Sequence, residues 1–314
     1  MAPHEPIPGA FIVAAVAEIF FRERVPYIFS GWMLMSLIGR RYAFPMPDFV
    51  IPDKLIDKAI AILSHRGYSP CPNPTCLEFT GNRQRNCKHF WNQFHPVGKA
   101  HFHLEGDVLL TILPKSEIFP WIPDYTPGPP TIDDPHLTVT SDMRLAPATD
   151  FGATGPWTEL FPIQMPNPNT FREAILYLMA LHEPGPSPST PKLRFKFYPW
   201  LHMKEALMPS PDLRLDDDPP ILSLGRPAKL SEIHAPEREY ERTVLQPKYR
   251  PVWEYLSGHR PPNHHPHLPL LRLREKMIET GELPHDLPKY DLKAYKPLQQ
   301  VTYYRLDQVP TRKP

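Results

Sequence analysis

His101, His103 and Glu105 alternate along the stretch AHFHLE at residues 100–105. If that stretch is a strand, its period of two puts all three on one face, and two histidines at i and i+2 can share a zinc ion. The plainer reading is the favoured one. The same residues can form the polar face of a hairpin whose Phe102 and Leu104 turn inward. Cys71 and Cys76, with Cys87 and His89 downstream, are a second set with the residue types of a zinc site. Against that, a free cysteine commonly serves as a small buried apolar residue. His259, His264, His265 and His267 crowd into GHRPPNHHPH, where a proline-rich loop fixes no ligand geometry, so adventitious metal binding is the expectation. Residues 192–198 alternate basic and aromatic side chains, the pattern of a nucleic-acid-binding strand or of a half-buried strand with a solvated edge.

These residues must be held by regular elements, and proline decides where such elements can lie. The chain has 45 prolines against 14 glycines, roughly three times the usual proline share. Proline fixes φ and donates no hydrogen bond, so helices and strands are confined to the proline-poor stretches. The spacing predicts a helix over 10–24 with Ala14, Glu18 and Arg22 as its solvent stripe, a strand over 26–31, and a short helix over 32–40. A strand at 48–51 follows, then a helix capped by Asp53 and stopped by Gly67. Residues 100–105 and 108–113 read as an antiparallel hairpin. A long proline-rich loop is expected over 114–168. A helix then opens with a Thr170/Glu173 capping box. Further helical pieces are expected around 201–207, 236–245, 252–256 and 270–280.

The expected organisation is a core over 1–183, a proline-rich linker over 184–191 and a mainly helical C-terminal part over 192–314. The fold class is α+β, a small mixed sheet flanked by helices, with proline-rich wraps. Lys and Arg number 35 against 34 Asp and Glu, so overall charge points to no nucleic acid and no acidic lipid surface. The apolar stretch 10–21 is too short to span a bilayer. An odd number of cysteines, three, and the missing signal pattern suggest a reducing, cytoplasmic setting. No P-loop, G-x-S-x-G or dinucleotide fingerprint is present. The sequence names no cofactor, and leaves a protein partner or a small molecule as the open classes of ligand.

Ser30-Gly31 at a strand end, followed by a helix and the strand Asp48-Phe49-Val50-Ile51, resembles the opening of a nucleotidyltransferase-type fold. The resemblance implies that Ser30 and Gly31 face a triphosphate and that Asp48 faces Mg²⁺, with Glu105 as a further carboxylate from a neighbouring strand. More broadly, FVIPDKLIDKAIAIL (49–63), the Cys71/Cys76 pair, HFHL (101–104), PKSEIFPWIP (114–123) and SDMRLAP (141–147) resemble a family of uncharacterised fungal proteins. The likeness spans about residues 10–182. The chain departs from the nucleotidyltransferase pattern at its centre. Carboxylates at i and i+2 on a strand share a face, but Asp48 has Met46 and Val50 at those positions. Trp32 also follows Gly31 directly, where a small residue belongs beside phosphate. The expectation is therefore a non-catalytic or weakly catalytic binding or accessory protein. The alternatives are an active transferase on a nucleotide or small molecule, and an accessory protein of a fungal secondary-metabolite pathway. A reducing setting makes one outcome checkable: thiol titration of the denatured, unreduced protein is expected to find three free thiols, and finding one would point to a bridge.

Overall fold

A computed structural model describes residues 9–38, 46–73, 75–76, 96, 98–105, 108–148, 154–183, 200, 203, 244–256 and 268–291. The linker at 184–191, the stretch 192–198 and the histidines of 257–267 lie outside these residues, as do Cys87 and His89. The architecture is mixed α+β, built on a small mixed sheet.

Helix α1 (Ala10–Arg22) leads into strand β1 (Ile28–Gly31), and β2 (Pro47–Ile51) pairs with it antiparallel, Ser30 opposite Asp48. Helix α2 (Ile56–His65) follows, then the hairpin β3 (Ala100–His103) and β4 (Leu109–Pro114). β4 lies beside β2 in parallel and beside β3 antiparallel, giving the order β1-β2-β4-β3. Every residue of β1, β2 and β4 is buried. That agrees with the rule that parallel pairing occurs where both sheet faces are covered. On one face, Phe49 takes the edge of the Phe20 ring from α1 at 5.4 Å and of the Tyr27 ring at 5.5 Å. α2 is tied to the end of α1 where Arg66 reaches Glu23 at 2.8 Å and Lys58 donates to the Glu23 carbonyl. α2 ends as expected. Gly67 at φ +92 lets its own N–H reach the Ser64 carbonyl and the Tyr68 N–H reach the Leu63 carbonyl, a Schellman stop.

Several expectations need correction. The solvent stripe of α1 is offset: Ala14 is buried, while Phe11, Ala15 and Arg22 are exposed. The helix expected at 32–40 is only a 3₁₀ turn, Met33–Ser36, and everything from Gly31 to Ile38 is buried. An apolar run with no polar side leaves no amphipathic face to stabilise a helix by docking. The expected loop over 114–168 contains a helical turn, α3 (Lys115–Ile118), and a two-stranded ribbon. The ribbon pairs β5 (Leu137–Val139) with β6 (Gln164–Pro166), antiparallel. The next helix, α4 (Pro168–His182), is capped by Asn167, whose Oδ1 accepts the Thr170 N–H at 2.9 Å, with Pro168 in its first turn. Glu173 is thereby released from the capping box and instead accepts two hydrogen bonds from Gln246. α5 (Arg250–Leu256) and α6 (Leu268–Glu279) touch one another, and α6 touches α4. Arg274, 2% exposed, donates to the Ala180 and Leu181 carbonyls at the end of α4. Those carbonyls lack helical partners.

Asp53 is not the cap of α2. It sits in a 3₁₀ turn, and its carboxylate accepts the Ser116 N–H at 3.0 Å and hydroxyl at 2.5 Å. This ties the end of β2 to the end of β4. Burial pushes the Asp53 pKa up, but the Ser116 bonds, its own backbone N–H and the Lys99 charge together outweigh burial and hold it below the ordinary range. A depressed carboxylate stabilises the fold above its unfolded pKa and loses that contribution as pH falls through its folded value. Asp53→Ala is expected to cost about 1 kcal/mol near neutral pH, the exposed side of the carboxylate keeping the effect small. Thermal melts should show the gap to wild type closing as pH falls below about 4. A gap independent of pH would place the effect elsewhere.

Candidate metal centre

The Schellman stop at Gly67 turns the chain back toward the sheet. The Cys71 N–H then donates to the His101 carbonyl at 2.9 Å, so the segment leaving α2 lies along the outer edge of β3. Among the described residues β3 is the last strand of the sheet, and edge strands are commonly covered in native proteins. The Asn73 side chain accepts the Thr75 N–H and hydroxyl, and its carbonyl accepts the Cys76 N–H at 3.0 Å. This side-chain-supported turn brings Cys76 back beside Cys71. On β3, His101 and His103 share a face by strand alternation, their rings perpendicular and 5.0 Å apart.

The result is one group. One ligand atom each from Cys71, Cys76, His101 and His103 lie within 4.8 Å of one another. Both cysteines are unbridged thiols, half-buried. His101 is 2% exposed, while His103 reaches solvent. Cys76 Sγ and His103 Nε2 are 3.6 Å apart. Zinc–ligand bonds of about 2.3 Å to sulfur and about 2.0 Å to nitrogen, at tetrahedral angles, set ligand atoms roughly 3.3–3.8 Å apart. The observed separation is that of a tetrahedral edge. Two sulfurs with two imidazole nitrogens in tetrahedral arrangement is a donor set that suits zinc. Two thiolates also neutralise its charge.

The sequence presents these ligands as two separate half-sites, and the fold joins them. Glu105, grouped with the histidines by sequence, falls elsewhere. Glu105 is exposed and stands outside the four-ligand group. It lies beyond the end of β3, and β3 is not the neighbour of β2, because β4 lies between them. Asp48 and β3 are therefore two strand spacings apart, roughly 10 Å. His101 is not on a solvated hairpin face but deep in the sheet.

Ser30, Gly31 and Asp48 do come together, in a different setting from an open phosphate site. Asp48 is 1% exposed, and Ser30 and Trp32 are buried as well. Gly31 has φ +86, and a side chain there would strike Asp48 Oδ2 at 2.3 Å, so the glycine is required by the carboxylate packed against it. The cross-strand neighbour of Asp48 on β4 is Thr111, not a second carboxylate. Thr111 was missed by reasoning on the sequence. The available signal was its place as the one polar residue in VLLTIL (108–113). Among the described residues, Cys71, Cys76, His101 and His103 are the group of three or more His, Cys, Asp or Glu side chains placed to hold a metal ion. The chain matches no family model, no curated protein and no solved structure.

Proposed function

We propose that this chain is a non-catalytic binding or accessory protein with a nucleotidyltransferase-like α+β core, whose sheet edge is locked by a structural Cys₂His₂ zinc centre. The observation that carries the zinc reading is the convergence of Cys71, Cys76, His101 and His103 within 4.8 Å. Four protein ligands close the tetrahedron, and a closed site leaves no position for a reacting water or substrate. The centre therefore supplies folding energy rather than chemistry, as metal binding does wherever the unfolded chain holds no preformed site. Burial of Asp48 against Gly31, with Thr111 as its neighbour, supports the non-catalytic half of the reading. Phosphoryl chemistry needs metal held between carboxylates that substrate can reach.

Metal analysis of the purified chain is expected to find one zinc per molecule. Removing it with a strong chelator should lower Tm by upwards of about 5 °C. That follows because a ligand at a thousandfold excess over its Kd stabilises by about 4 kcal/mol. Cys76→Ser and His103→Ala should each abolish stoichiometric uptake and the chelator response. Cobalt-loaded protein should show the intense visible bands of a tetrahedral thiolate site. A chain that refolds with zinc present yet retains none, or a Cys76→Ser variant that retains it fully, would overturn the centre.

A second measurement addresses the core. No nucleotidyl transfer is expected with ATP, GTP, CTP or UTP in the presence of Mg²⁺ or Mn²⁺. Turnover that vanishes in Asp48→Asn while Tm stays unchanged would replace this reading with that of an active transferase.

A further inference from the structure

Four polar residues lie in one row across the whole sheet. Ser30 on β1 is opposite Asp48 on β2, Asp48 is level with Thr111 on β4, and Thr111 is opposite His101 on β3. Residues in register share a face, with Cβ atoms of directly opposite partners about 5 Å apart. All four are buried, Thr111 to 2% exposure. The rows on either side are apolar: Phe29, Phe49, Ile112 and Ala100 on one side. A polar row inside a small apolar sheet is costly unless its members are matched to one another or to a charge.

Two side chains of the row are placed by their packing against glycines. Asp48 directs Oδ2 toward Gly31 on the β1 side, and its other oxygen, Oδ1, is fully buried. The Thr111 methyl occupies the space a side chain at position 98 would take, 2.2 Å from that hypothetical Cβ. Gly98 thus lets the methyl turn away from the row. The Thr111 hydroxyl is buried and has no hydrogen-bond partner of its own in the structure. A hydroxyl can accept one bond and donate another. The residue on one side of it offers a ring N–H, and the residue on the other offers a carboxylate oxygen.

We infer that Thr111 and Asp48 are positioning residues for the metal centre. With zinc bound, the His101 ring nitrogen that does not bind metal would donate its N–H to Thr111 Oγ1, and the Thr111 O–H would donate to the Asp48 carboxylate; neither bond is formed in the structure. The inference rests on the zinc reading and deepens it. Metal-bound histidine regularly gives its second ring N–H to a carboxylate, carbonyl or water, which fixes the ring and raises its basicity as a ligand. Here the carboxylate is two strands away and the hydroxyl of β4 spans the gap. No proton is transferred. The relay orients the ring, and the negative charge at its far end favours the cation. It also gives Asp48 and Gly31 a role that needs no nucleotide. Asp48 is the buried anchor of the relay, and Gly31 is the residue small enough to let it lie there.

The test is zinc affinity by chelator competition on the full chain, with Tm of the metal-free protein as the control. Thr111→Val keeps shape and strand preference but deletes the hydroxyl. It is expected to weaken zinc binding about 10- to 100-fold while the metal-free Tm stays near that of wild type. Thr111→Ser restores the hydroxyl and should recover affinity to within about threefold of wild type. Asp48→Asn, which keeps an acceptor but loses the charge, should fall between Val and Ser at position 111. Wild type that holds zinc, with Thr111→Val holding it equally tightly, overturns the relay and leaves the centre standing. Equal weakening by Val and Ser also overturns it, because loss would then follow packing rather than the hydroxyl. Wild type that holds no zinc overturns the centre and the relay together.

Discussion

Strand β4 is the constraint on which the rest of the structure depends. It is the strand with β2 on one side and β3 on the other, so its register sets what every other strand presents. Side chains alternate with a period of two, and a slip of one residue would exchange the two faces along its whole length. Leu110 and Ile112 would then leave the face they share with Phe49 and Phe102. Thr111 would enter that apolar layer, and neither change is tolerable for a fully buried strand. The apolar layer therefore fixes the register. The register in turn places Thr111 between Asp48 and His101, and points His101 and His103 at the segment that returns from α2. The proposed metal chemistry is a consequence of hydrophobic packing on the opposite side of the sheet.

Proline shapes how the remaining chain is held. A proline leaves its neighbours' carbonyls without a regular donor, and buried backbone groups still need partners. In this protein side chains supply many of them. Tyr125 donates to the Val50 carbonyl, Asn167 to the Pro135 carbonyl and Tyr290 to the Glu183 carbonyl. Arg144 holds Asp142 through its guanidinium and also donates to the Ile132 carbonyl. The guanidinium bonds, opposed by partial burial and aided by Thr138, keep the Asp142 carboxyl well below the usual range. The stretches that stand out in the sequence, PKSEIFPWIP and SDMRLAP, contain such ties: Ser116 to Asp53, and Arg144 to Asp142 and Ile132. These ties wire irregular chain to a small sheet.

Elements with a strong period or a terminal signal were legible in the sequence. β1, β2, α2 with its Gly67 stop and the 100–113 hairpin follow from alternation, helical spacing and a glycine that must take positive φ. What was not legible depended on partners distant in the chain. The capping box at Thr170 was a sound local pattern, but Asn167 lay one turn earlier beside a proline, and Glu173 found Gln246 instead. Asp53 looked like a cap because nothing local reveals Ser116, 63 residues away. The candidate centre failed to be legible for the same reason. Each half carries two ligands and reads as incomplete. The contacts that unite them, the backbone bond from Cys71 to His101 and the approach of Cys76 to His103, leave no periodic trace.

A metal at this position answers a specific weakness of the fold. β3 is short, lies at the sheet edge and is held on its inner side by β4. A two-stranded hairpin alone is marginal in water. The outer side of β3 receives the Cys71 backbone bond. A hydrogen bond is worth about 1 kcal/mol, whereas metal–thiolate and metal–imidazole bonds contribute far more in small zinc folds. The buried row asks for the same answer. Ser30, Asp48, Thr111 and His101 place polar groups, one of them a carboxylate, across a layer where aliphatic residues would otherwise be more stable. Such a row is sustained when a cation stands at its end. The edge strand and the buried carboxylate belong to one line of side chains, and a single zinc ion at His101 would act on both.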